Sequence, residues 1–178
     1  MIIVAFKLIV PLEPHTASRP NWGVNGRPTR AYMPDGYRKF REQFNDWFMD
    51  YLEKTDSELF RYLTHLKDGR PIRHEVFGKN VIEDDFFGYS VTVVCVITRT
   101  ASDTRPFPIA TRTADIDNYA KAVTDSIFSS EPAKYFHLND RWMQELHAQK
   151  RYTRYGTDEK AHIEIIIRRM ENIEGMYS

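Results

Sequence analysis

Between Gly88 and Phe128 the spacing of apolar residues switches from every second position to every third or fourth, and no other feature constrains the fold as tightly. From Gly88 to Thr98, Tyr89, Val91, Val93, Cys95 and Ile97 alternate with Ser90, Thr92 and Thr98, which predicts a central strand. A polar loop with Pro106 and Pro108 follows and leads through Arg112 into the second segment. There Ile116, Tyr119, Ala120, Val123 and Ile127 recur at helical spacing and predict an amphipathic helix ending near Phe128.

The polar side of that helix carries the chemistry. In Asp115-Ile116-Asp117-Asn118-Tyr119-Ala120-Lys121-Ala122-Val123-Thr124-Asp125, residues Asp117, Asn118, Lys121 and Asp125 fall on one arc of roughly 100°. Asp115 stands where an aspartate caps free backbone N–H groups, and Asp117 lies in the first turn, where the helix dipole favours a carboxylate. Capping accounts for one aspartate and leaves the second, with its neighbouring amide and lysine, unexplained. Two carboxylates this close repel, so one holds a proton or a cation sits between them. Oxygen ligands of this kind suit Mg²⁺ or Mn²⁺, which bind through a few carboxylates, waters and a substrate's phosphate oxygens.

A chain of 178 residues suggests one domain with room for a real core. Its 25 basic and 25 acidic residues balance, so net charge points to no partner, but their distribution does. From His15 to Arg41 the bases Arg19, Arg27, Arg30, Arg38, Lys39 and Arg41 face Asp35 alone, while Glu42 to Asp85 is acidic. A solubilising face is the plain alternative for such a cluster. Cys95 is the only cysteine, which excludes an intrachain disulfide and a cysteine zinc site. The apolar opening to Val10 contains Lys7 and is too short to cross a bilayer, so it reads as a strand of a cytoplasmic protein.

Ile2 to Val10 is a strand stopped by Pro11 and Pro14, and His15 to Met33 a basic loop. Pro34 to about Leu52 is a helix whose stripe of Tyr37, Phe40, Phe44, Trp47, Phe48 and Tyr51 reads as core rather than as a base-stacking platform. A helical turn is expected at Ser57 to Leu66, and Glu83-Asp84-Asp85 reads as an exposed acidic turn. After Pro132, Trp142 to Tyr152 and Ala161 to Arg169 read as strands that pair across Gly156. The expected fold is α+β, a single domain over 1–178 in the order β-α-β-α-β-β, with a mixed sheet packed by helices and a frayed tail from about 170.

Asp-x-Asp-Asn-x-x-Lys-x-x-x-Asp, followed by Asn139-Asp140 and by Lys150 ten residues later, resembles the RusA family of Holliday junction resolvases. Pro14, Arg19-Pro20, Tyr32 and Pro34 resemble that family's opening region, with Asn21 where a second arginine is usual. The resemblance implies metal-dependent hydrolysis of DNA phosphodiesters at four-way junctions in recombination and repair, in a bacterial or phage-infected cell. It implies a homodimer and makes residues 54–87 an insertion. Asp115, Asp117 and Asp140 would hold the metal, with Asn139 in place of a common aspartate, and Lys121 would offset charge on the reacting phosphate. Asn118 and Asp125 would act in support, Asp125 by holding Lys121, a pair that also reads as an ordinary surface ion-pair bridge. Arg19, Arg27, Arg30, Arg112 and Lys150 are the candidate phosphate contacts. His137 and His147 flank Asp140 and read as packed polar residues. The competing readings are a nuclease for other branched or flap DNA and a non-cleaving DNA-binding module. A hydrolase of small phosphate esters is disfavoured by the lack of a glycine-rich cradle.

Overall fold

The computed structural model describes residues 5–18, 33–55, 88–109, 113–136 and 138–170, together with the backbone of 66–67, 70–71, 73–76 and 79–82. Strand β1 (Ala5–Val10) leads to helix α1 (Asp35–Lys54). Four short strands follow, β2 (Leu66–Lys67), β3 (Arg70–Pro71), β4 (Arg73–Val76) and β5 (Lys79–Ile82), paired as two antiparallel ladders, β2 with β3 and β4 with β5. Strand β6 (Gly88–Ile97), helix α2 (Ile116–Phe128), the short helix α3 (Glu131–Tyr135), a single 3-10 turn (Asp140–Trp142), β7 (Met143–Tyr152) and β8 (His162–Met170) complete the chain.

The fold is α+β, a mixed four-stranded sheet in the order β1-β8-β6-β7 packed by helices. Strand β8 runs antiparallel to both β1 and β6, whereas β7 is parallel to β6. A parallel neighbour requires a crossover connection, and α2 supplies it. The expected pairing of β7 with β8 across Gly156 does not form; β6 lies between them. Composition explains the arrangement. Ile163, Ile165 and Ile167 of β8 are fully buried in an interior position, while the polar run from Gln144 to Gln149 of β7 takes an edge.

Phe6, Leu8 and Val10 of β1, Val91, Val93 and Cys95 of β6 and the three isoleucines of β8 form one face of the core. Onto it pack Tyr37, Phe40, Phe44, Phe48 and Leu52 of α1 and Tyr119, Ala122, Val123 and Ile127 of α2. The aromatic stripe of α1 is therefore core, with Trp47 and Tyr51 at its margin. Burial pushes the Cys95 thiol up to about 12, so it behaves as a small apolar side chain. Tyr37 donates to Asp125 Oδ2 at 2.8 Å, Arg41 to Ser129 Oγ, and the Glu131 N–H to Asn45 Oδ1 at 2.8 Å, so polar ties run from α1 to α2 and α3. Among the described residues no helix is long and apolar enough to cross a membrane.

Candidate active site

Strands β1, β6 and β7 point the same way, so their carboxyl ends share one edge of the sheet, and α2 begins at that edge. In sheets of this kind ligands bind beyond the carboxyl ends of parallel strands. Three ties hold the edge together. Lys150 of β7 donates from Nζ to the carbonyl of Ala114 at 2.6 Å. The Ala17 N–H donates to the Asn118 carbonyl at 2.9 Å. Glu13 accepts from the Thr98 N–H at 3.1 Å and hydroxyl at 2.7 Å. The segment after β1 is thereby laced to the end of β6 and the first turn of α2, and chain leaves Ser18 beside that turn.

Asp115 occupies the N-cap position of α2 with extended backbone, φ −66° and ψ 151°, yet its side chain makes no capping hydrogen bond. Other caps in the molecule are made: Ser130 accepts from the Ala133 N–H and Asn139 from the Arg141 N–H. Asp117 lies in the first turn, exposed, and neither aspartate has a hydrogen bond or ion pair among the described residues. Most acids near this edge are engaged. Asp103 binds Arg105, and Arg151 holds the Glu159 carboxyl down to about 2. Two unspent carboxylates therefore stand together at a helix N-terminus.

Lys121 lies one turn on, exposed, with Nζ 3.2 Å from Asp125 Oδ2. Asp125 also accepts from Tyr37, whose hydroxyl is pushed above its ordinary range first by burial and then by that hydrogen bond. The ion-pair account of Lys121 thus holds on the Asp125 side. Asn118 anchors the loop through its backbone carbonyl rather than through its amide. Asn139 Oδ1 is occupied as the cap of the 3-10 turn.

Asp140 lies elsewhere. It opens the 3-10 turn before β7, at the amino edge of the parallel strands, exposed and without a hydrogen bond or ion pair among the described residues. Lys150, which touches Ala114, sits near the other end of β7. At about 3.3 Å of rise per residue this puts Asp140 on the order of 20 Å or more from Asp115. Among the described residues no three acidic, histidine or cysteine side chains come together as a metal site. The donor chemistry of Asp115 and Asp117 suits a divalent cation, but among the described residues of one chain no third carboxylate joins them.

His147 is exposed on β7, 3.7 Å from Glu145. Arg19, Arg27, Arg30, Arg112, His137 and Glu83-Asp84-Asp85 lie outside the described residues, as do 57–65 and 171–178. Sequence reading passed over a cluster at the carboxyl edge. Arg99 stacks on Tyr152 and Tyr155 at 5.2 and 5.7 Å and donates to the carbonyls of Asp103, Arg105 and Thr153. Beside it Phe107, Tyr155 and Arg154 are exposed, and Arg154 makes no side-chain hydrogen bond among the described residues. No periodicity marks these residues, because two separate segments, the one after β6 and the one at the end of β7, bring them together.

A match to the family described as Endodeoxyribonuclease RusA covers residues 75–168, just over half of the chain. No curated protein matches it. The matched span runs from β4 into β8 and takes in Asp115, Asp117, Lys121, Asp140 and Lys150, so the residues at both ends of the β6-α2-β7 unit lie within it. The chain belongs to the RusA endodeoxyribonuclease family.

Proposed function

We propose that the protein hydrolyses the backbone of branched DNA, four-way junctions above all, using Mg²⁺ or Mn²⁺, and serves recombination and repair. The observation that carries this reading is the pair Asp115 and Asp117, which a structural role would have spent on a cap or an ion pair and which remain unspent among the described residues. These two carboxylates would hold the ion, whose chemistry when bound is to orient a phosphate and lower the pKa of an attacking water. Lys121 is positioned to turn from Asp125 toward charge developing on phosphorus, and Lys150 keeps two of its three donors beyond its bond to Ala114.

The separation of Asp140 from Asp115 supports a homodimer, in which the third carboxylate comes from a second copy. Two-fold symmetry gives two equivalent sites, which suits paired nicks across a four-way junction. The basic loop from His15 would carry the phosphate contacts, leaving a helix N-terminus of like charge accessible to DNA.

The test incubates a synthetic junction, a flap and a linear duplex with the protein in Mg²⁺ or Mn²⁺. Cutting of the junction, lost in Asp117→Asn while the variant still retards the same DNA, is the expected result. Retention without cutting by the parent protein would establish the non-cleaving module instead, and preferential cutting of the flap would reassign the substrate.

A further inference from the structure

Lys121 stands between two carboxylates on one helix, Asp117 one turn before it and Asp125 one turn after. Helix side chains lean toward the N-terminus, and a lysine pairs better with an acid one turn before it than with one after. Lys54 and Lys134 follow this rule, pairing at 2.7 Å with Asp50 and Glu131 on their N-terminal sides. Lys121 instead turns to Asp125, with Nζ 3.2 Å from Oδ2. Asp117 is left exposed, with no hydrogen bond or ion pair among the described residues. The physics of the helix alone does not account for this choice of partner.

The difference between the two acids lies in α1. Among its buried residues Tyr37, Phe40, Phe44, Phe48 and Leu52, Tyr37 alone carries a polar side-chain atom, and that hydroxyl donates to Asp125 Oδ2 at 2.8 Å. The ring is itself fixed: 3% exposed, stacked on His15 at 6.2 Å, with the Arg41 guanidinium 5.8 Å from its centroid. Asp125 is thereby held in place and largely covered, its side chain 33% exposed. Pairing with it orders only the lysine, and a partly covered carboxylate attracts a cation more strongly than one in open water. Pairing with Asp117 would order two free side chains in water for little gain.

We propose that Tyr37 is a positioning residue of the site: by fixing Asp125 it draws Lys121 away from Asp117 and keeps that carboxylate free for a divalent cation. The inference deepens the proposed function and rests on it for the role of Asp117. An ammonium settled on Asp117 would offset the charge and occupy the oxygens that a hard cation uses. The pair with Asp125 is of a weak kind, so the lysine can still leave it for a phosphate.

The experiment titrates the full chain with Mn²⁺ in the absence of DNA and follows the free-ion electron paramagnetic resonance signal, reading the site that Asp117→Asn removes. Tyr37→Phe keeps the ring and takes away only the hydroxyl. It is expected to weaken Mn²⁺ binding about two- to fivefold, the range over which an exposed ion pair at Asp117 can compete. In a Lys121→Met background the same change should have no effect, because no ammonium is left to move. Asp125→Asn, which loosens the pair from the other side, should weaken Mn²⁺ binding as well and be cancelled by the same Lys121→Met. Equal weakening by Tyr37→Phe in both backgrounds would mark a purely structural tyrosine and overturn the proposal. Unchanged or tighter binding in Tyr37→Phe overturns it too, as does a parent protein that binds no Mn²⁺ at Asp117. Failure of the nuclease reading looks different: the Mn²⁺ pattern holds and no junction DNA is cut in either metal.

Discussion

Asp115 has the backbone of a helix cap and the side chain of something else. Loss of a capping aspartate typically costs about 0.5–2 kcal/mol. Because no capping hydrogen bond is made here, Asp115→Ala should change stability in urea by under about 0.5 kcal/mol, against about 1 kcal/mol for Asn139→Ala, whose oxygen does cap. The same Asp115→Ala protein should cut no junction. Equal losses of stability in the two variants would return Asp115 to a structural role. At this scale the placement of the motif was legible: spacing put Asp115, Asp117 and Lys121 at the start of α2, because the helix is local and its periodicity assigns faces directly. Which groups are spent was not legible, since the partners of Asp125 and Lys150, Tyr37 and the Ala114 carbonyl, are distant in sequence.

The unit β6-α2-β7 sets the distance between the acidic residues, and one glycine holds its amino edge. Gly88 has φ +104°, and a Cβ there would lie 2.2 Å from the Trp142 carbonyl oxygen, at the end of the turn that begins with Asp140. Gly88→Ala should therefore cost about 2–4 kcal/mol, read as a fall in thermal midpoint, and shift the turn carrying Asp140. An unchanged midpoint would show that the turn yields freely and does not position Asp140. Strands β6, β7 and β8 were expected within a residue or two, whereas the short strands β2 to β5 were not, nor was the β7–β8 pairing what formed. Short connections favour hairpins, but the fully buried isoleucines of β8 gain more from an interior place than the polar β7 could.

For the molecule as a whole, equal numbers of acids and bases leave any attraction to DNA to local clusters. Binding of junction DNA should weaken steeply with salt, about tenfold or more between 50 and 200 mM if several phosphates are neutralised; a flat titration would count against a DNA partner. The amino-acid sequence by itself determined the element types of the sheet strands and the two long helices, the single core-facing stripe of α1 and the acidic helix start, because each depends on periodicity or on neighbours a few residues away. Only the tertiary structure decided strand order, and with it the fact that Asp140 and Asp115 stand at opposite ends of a parallel crossover. Strand order follows from competition among whole strands for the buried interior, a sum over long-range contacts that no local pattern encodes.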